Sequence, residues 1–422
     1  MTGLLKVIVK DGLGARVPDA LVSVRLLTQG GVVIYPAGFG VDTAIGSPTI
    51  STGGVRVPST YPFLRKSPFI RPLGANANYL RIQNSRAPTF PSGGYANIEG
   101  YTINAYIVSG ADPVRTIWQY DSSQPGTGSL DIDPGTALVS KGTTRIPDAA
   151  RPSWGLDAHL TLVTDQAVGM YGAGTWRSVE FGRAVRMSGA EGTPPQGAAG
   201  DIRYVRNGNA VVPDLMTHDG IRPQHLTGTA HAWVIAGGMS SLAMLVRDFE
   251  VANGTDASGE IRHALQLIVY PYALNKNVPN WNGQWPSCVW PATISDPFSG
   301  YNGDAPVYMG SCLAIPPSVN IESLGISDAQ AKRVLRALQR FGGYIVDTGD
   351  PGETGRIVIR IDEEARDTVS NLSTFQSGLS IGLRQVQVVT NAHDQGQEPS
   401  WYNDESQGVG GGAPIYPMAP SF

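Results

Sequence analysis

The chain has 422 residues, including 52 glycines and 31 prolines, and carries a formal net charge of −4 with 16% charged residues. That length is ample for a large core and suggests two or three domains, while the slightly acidic balance makes duplex nucleic acid a poor partner. Few charges, many turn formers and little helical periodicity point to a mainly β protein.

The opening MTGLLKVIVKDG places Lys6, Lys10 and Asp11 where a leader needs a long apolar run. Synthesis in the cytoplasm without a signal peptide is therefore expected. No window approaches about 18 apolar residues, so no membrane span is expected either. Two cysteines, Cys288 and Cys312, are too few for a disulfide scaffold or a Cys-based zinc site, and cytosolic synthesis favours buried free thiols. No P-loop, dinucleotide fingerprint, GxSxG elbow or CxxC occurs, so no cofactor is expected.

Taken in order, residues 4–27 predict a strand, a turn at Asp11-Gly12 and a second strand over 21–27. Residues 28–75 are rich in Gly, Pro, Ser and Thr, yet Tyr35, Phe39, Tyr61 and Phe63 are too many aromatics for a flexible linker, so an ordered arm is expected. From about residue 76, short alternating segments recur between turn residues, among them NYLRIQNS, YANIEGYTINAYIVS, VRTIWQYDS, SLDIDP, AHLTLVTD and SVEFGRAVRMS. Their spacing suits a jelly roll or a similar two-sheet sandwich. Residues 187–224 read as long surface loops without core.

The stretch 259–350 is the organising part of the chain. It predicts buried strands around HALQLIVYPY, YMGSCLAIP and GGYIVD, and one short helix near 327–341. Ser327 is the expected N-cap, with Gln330 completing a capping box; Val334, Leu335, Leu338 and Phe341 make one apolar face. Lys332, Arg333, Arg336 and Arg340 read as a solvated face rather than an anion patch. Beyond 350 come strands RIVIRID and QVQVV with a polar segment between them. The last thirty residues read as a Gly/Pro-rich tail that wraps a neighbouring subunit or stays disordered.

Several residue sets could carry chemistry. Asp157 and His159 stand two apart, on one face of a strand, as in a general acid/base pair; a polar pair at a strand edge is the plainer reading. His218, Asp219, His225 and His231 cluster, with His263 beyond, but without metal-ligand spacing, so no metal site is assigned. Asp112, Asp121, Asp131, Asp133, Asp157, Asp296 and Asp347 supply the carboxylates from which a glycosidase would need two facing each other across a cleft. The catalytic set, if the chain is an enzyme, is Asp157, His159, His263 and Asp296. Trp281, Trp285, Asn282 and Tyr301 combine flat rings with amide groups, the make-up a sugar ring needs; core or interface filling is the plainer reading of these aromatics.

Two resemblances follow from these residues. The opening "strand, D-G-x-G, x-V-P-x-A, strand" resembles small immunoglobulin-like modules of surface and phage proteins, which implies a structural adaptor. The series Ile261–Leu265, Trp290–Asp296, Tyr308–Pro316 and Ser323–Asp347 resembles phage-associated and bacterial secreted β-sandwich proteins that face polysaccharides. What this implies is an Ig-like N-terminal module with its arm (1–75), a large jelly-roll-like β-sandwich (76–390) and a tail (391–422). The implied role is a virion structural protein, a tail fibre, spike or capsid-decorating subunit, in the virion or outside the cell. Its expected partners are copies of itself, other virion proteins and host-surface polysaccharide. A glycan-cleaving enzyme and a purely structural fibre-forming protein are the alternatives.

Overall fold

The computed structural model describes residues 22–26, 32–36, 62–63, 66–98, 100–120, 138–155, 157–188, 197–205, 209–226, 232, 234–255, 259–278, 288–295, 300–349 and 355–416. In chain order the strands are β1 (Val22–Leu26), β2 (Val32–Pro36), β3 (Tyr79–Leu80), β4 (Gly93–Asn97), β5 (Ile103–Ile107), β6 (Val114–Tyr120), β7 (Leu138–Arg145), β8 (His159–Thr164) and β9 (Arg177–Phe181). They continue with β10 (Val185–Arg186), β11 (Ile202–Val205), β12 (Asn209–Val212), β13 (Leu265–Val269), β14 (Cys312–Ala314), β15 (Gly343–Thr348), β16 (Arg356–Arg360) and β17 (Gln387–Val389). The helices are α1 (Asp248–Asn253), α2 (Ala329–Arg340) and α3 (Leu372–Leu383).

The protein is mainly β, with several sheets and few helices, as its turn-rich sequence predicts. β1 and β2 form an antiparallel hairpin. Two four-stranded sheets, β10-β11-β6-β7 and β12-β9-β8-β5, enclose one apolar core that includes Ile117, Leu160, Leu162, Phe181 and Tyr204. The alternate residues Ile103, Val163 and Val212 join a second, larger core. The β12-β9-β8-β5 sheet is therefore covered on both faces, and every residue of β8, β9 and β12 is buried.

The larger core lies against a seven-stranded mixed sheet, β3-β17-β14-β15-β13-β16-β4. Parallel pairs recur, β13 with β15, β16 with β4, β5 with β8 and β11 with β6. A jelly roll is antiparallel, so this wiring departs from the jelly-roll expectation.

α2 has the expected apolar face, but its N-cap is Asp328, whose side chain accepts from Ala331 N at 2.8 Å. Gln330 does not complete a capping box; its amide donates instead to the Thr368 carbonyl at 2.9 Å. The basic residues of α2 are spent within the chain. Lys332 and Arg336 meet Glu322, Arg336 and Arg340 meet Glu260, and Arg333 holds the carbonyls of Gly259 and Ala252.

Three expectations need correction. The polar segment between β16 and β17 contains α3, a second 12-residue helix capped by Asn371. Residues 187–224 are not coreless, since they hold β11 and the fully buried Ala210, Val211, Val212 and Leu215. Residues 391–416 pack on their own chain. Val409 pairs with Leu73 and Pro414 with Gly74, and Trp401 and Tyr402 are buried. Burying two large aromatic rings outweighs the chain entropy of a Gly-rich segment. The expected strands at 4–10 and in SLDIDP lie outside the described residues.

Candidate functional site

Asp157 and His159 lie where the β12-β9-β8-β5 sheet meets the seven-stranded sheet. The backbone there is unusual. Ala158 and Arg183 both have positive φ, 38° and 50°, and Arg183 N donates to Asp157 O while Ala184 N donates to Ala158 O. Two non-glycine residues in the left-handed region cost about 1–3 kcal/mol each and mark a place where surrounding structure dictates geometry. Ser153 fixes the start of β8: its Oγ accepts from His159 N at 3.1 Å and its own N donates to His159 O at 2.9 Å.

His159 is 3% exposed. Burial lowers its pKa to about 3, with Arg360 and Arg183 adding to the effect and Asp157 opposing it. The ring is therefore neutral near pH 7. Arg360, on β16, is 2% exposed and pairs with Asp347 on β15. Burial raises the Asp347 carboxyl, Arg360 opposes this and Asp157 reinforces it. Asp157, His159, Asp347 and Arg360 thus form one electrostatic cluster. Within it, His159 Nδ1 and Arg360 Nε and Nη1 are buried without a hydrogen-bond partner among the described residues. A neutral imidazole beside a carboxylate can relay a proton; His159 and Arg360 are buried, whereas Asp157 keeps partial exposure.

His263 does not join this cluster. Its Nε2 lies 3.0 Å from Glu250 Oε2 and its Nδ1 2.7 Å from Ala264 O. Glu250 is fully buried and also takes hydrogen bonds from Arg247 N and Nη2 and from Thr255 Oγ1. Burial alone would raise its pKa, yet Arg247 and His263 hold it well below the usual carboxylate range. This is a structural ion network around the start of α1. Asp296 lies outside the described residues.

A separate cleft of about 740 Å³ is lined by residues that include Lys66, His218, Asp219, Arg222, Trp290 and Glu398. Asp219 is held from three sides. Its Oδ1 accepts from Ile221 N at 2.9 Å, its Oδ2 from the Tyr402 hydroxyl at 2.6 Å, and its carbonyl from Ser67 Oγ at 2.7 Å. His218 Nδ1 accepts from Gly220 N at 2.8 Å, and burial lowers the ring's pKa. Gly220 has φ +83°, and a Cβ there would sit 2.9 Å from the Phe63 ring.

Trp290 packs edge-on against Trp401 and Tyr402, with centroids 5.4 and 4.9 Å away. Beneath this aromatic wall lies Arg71, which is 0% exposed. Its Nη1 donates to Trp401 O at 2.8 Å and Asp404 O at 3.2 Å, and its Nη2 to Tyr402 O at 3.2 Å. The guanidinium also sits 5.4 and 5.7 Å from the two ring centroids. Arg71 therefore clamps the Trp401–Asp404 segment, which follows the cleft-lining residues Gly396, Gln397 and Glu398.

Of the expected glycan-binding residues, Tyr301 is 2% exposed inside the larger core and presents no ring face to solvent. Trp281, Asn282 and Trp285 lie outside the described residues, as does His231. His218 and Asp219, grouped in the sequence with the other histidines, and Trp290, the first residue of one resemblance segment, come together in the cleft. Lys66, Tyr402 and Glu398 were missed; the Trp401-Tyr402 pair inside a Gly/Pro-rich stretch was the available signal, since disordered tails are poor in aromatics.

Cys288 and Cys312 are buried free thiols, each pushed up to about 12 by burial. Among the described residues no three His, Cys, Asp or Glu converge to hold a metal ion. No helix there is long and apolar enough to cross a membrane. No family model, curated protein or solved structure matches this chain.

Proposed function

We propose that this chain is a virion structural subunit, of the tail-fibre, spike or capsid-decorating kind, that assembles with copies of itself and holds host-surface glycans in the cleft beside Trp290. The observation that carries the glycan half is the make-up of that cleft: about 740 Å³, an indole on one wall, and carboxylate, guanidinium and ammonium groups on the others. A pyranose has C–H faces that pack on an indole and hydroxyls that exchange hydrogen bonds with such groups. The low charge and the Gly/Pro-rich composition support the particle half. The antiparallel β1–β2 hairpin suits an Ig-like opening. The two facing four-stranded sheets suit the sandwich half of a jelly-roll-like domain, while the parallel pairs do not.

The test is a glycan array probed with the full-length chain, Trp290→Ala and Glu398→Gln. Saturable retention of a bacterial surface polysaccharide, weakened in both variants, is expected. Absence of any retained polysaccharide, or retention indifferent to both changes, refutes the glycan half. A glycan-cleaving reading draws on the meeting of Asp157, His159 and Asp347; it requires oligosaccharide release that disappears in Asp157→Asn.

A further inference from the structure

Trp154 and Tyr101 are the two most conspicuous exposed aromatics of the described chain, 66% and 47% exposed. They meet at 5.5 Å between centroids with an interplanar angle of 84°, so their faces form a corner. The corner is built, not incidental. Tyr101 N donates to Trp154 O at 2.7 Å. Each ring lies against the glycine that flanks the other. A Cβ on Gly100 would come within 2.5 Å of Trp154 Cε3, and one on Gly155 within 2.9 Å of Tyr101 Cδ1. Both glycines have positive φ, and Tyr101 itself is held at φ +52°. A surface that only tolerated two rings would not need a left-handed tyrosine and two glycines to seat them.

Polar groups surround the corner. Glu363 Oε2 accepts from Trp154 N at 3.0 Å and from Asn104 Nδ2 at 3.2 Å, and Asn97 Nδ2 donates to Tyr101 O at 3.3 Å. None of these residues lines the cleft at Trp290. The two rings expose on the order of 200 Å² between them, far below the roughly 800 Å² per partner of a stable protein interface. The scale is that of one sugar ring.

We infer that Tyr101 and Trp154 form a second carbohydrate-docking surface, which stacks a pyranose of a neutral polysaccharide on the indole while Glu363 and Asn97 meet its hydroxyls. The inference does not rest on the cleft. Two such surfaces on one chain, multiplied by assembly, would raise the avidity for a polymer whose repeats reach both.

Full-length protein is titrated with cellohexaose, xylohexaose and mannohexaose, following tryptophan fluorescence and calorimetric heat. Wild type, Trp154→Ala, Tyr101→Asn (asparagine tolerates the left-handed conformation) and Glu398→Gln are compared, with thermal melts to confirm folding. The expected result is saturable binding of at least one hexaose, weakened about tenfold or more in Trp154→Ala, as loss of an aromatic contact of about 1.4 kcal/mol implies. Tyr101→Asn should weaken it too, whereas Glu398→Gln, which alters the cleft, should leave the Trp154-dependent component in place. Three results overturn the inference: no hexaose binds, binding survives Trp154→Ala, or Trp154→Ala breaks up an oligomer and so assigns the corner to a subunit contact. Where binding survives Trp154→Ala but is lost in Glu398→Gln, the inference falls by the second result and the cleft reading stands.

Discussion

Replacing His159 with glutamine removes the titrating ring from the seam between the two sheets. The unfolded imidazole has its ordinary value of 6.5, whereas the buried ring sits at about 3. Because the folded value lies below the unfolded one, the native state binds fewer protons within this window. Its stability is full above 6.5 and falls as pH drops towards 3. Between about pH 7 and about pH 5 the unfolded ring gains about three-quarters of a proton that the native ring refuses. The wild type should then lose about 2 kcal/mol that the variant does not lose. Burial is the main physical reason, and Arg360 and Arg183 add to it, since a charged imidazole there is desolvated and also repelled. The assay is urea unfolding of both proteins at the two pH values, and its readout is the pH dependence of their stability difference. Whatever glutamine costs outright cancels in that comparison. Parallel pH profiles, with a difference constant to about 0.5 kcal/mol, would refute the placement of a neutral His159 in this cluster.

Further predictions concern the frame that carries the cleft. Arg71→Ala orphans the buried carbonyls that hold the Trp401–Asp404 segment and should cost about 3 kcal/mol or more in chemical denaturation; a loss below about 1 kcal/mol would contradict the clamp. Gly382→Ala places a Cβ 2.3 Å from Leu335 Cδ1. Overpacking of about 1–3 kcal/mol should exceed the helix-propensity gain of about 1 kcal/mol, so the melting temperature falls. Ser377→Ala, on the exposed side of the same helix, should raise it slightly or leave it unchanged. Glu250→Gln should destabilise at neutral pH and flatten the acid transition. A carboxylate held below its unfolded value of 4.5 stabilises above that value, and the contribution is lost as pH falls below it. An unchanged acid transition in the variant would remove Glu250 from the account.

The legibility of this fold in its sequence varied with how local each signal was. β8 and β13 were readable because β-branched and apolar residues sit between turn formers. α2 was readable because Val334, Leu335 and Leu338 repeat on one face. α3 was not, because Gly378, Gly382 and three serines lower its intrinsic propensity. Tertiary packing reverses that judgement: the two glycines let α3 approach α2 so closely that a Cβ at either position meets Ala331 or Leu335. β12 was hidden because four residues between Gly and Pro carry too short a pattern. Asp157 and His159 were legible as neighbours two residues apart, while Asp347 and Arg360, on β15 and β16 of another sheet, reach them only through tertiary packing. The cleft was half legible: His218 and Asp219 cluster in sequence, but Tyr402 reaches Asp219 across 183 positions.

The most direct test of the proposed role is the oligomeric state of the purified full-length chain by light scattering, supported by single-particle images. A particle subunit predicts a closed trimer or higher ring, or a filament. A clean monomer that persists across concentration would contradict the structural-subunit reading and turn attention to polysaccharide cleavage by the Asp157 cluster.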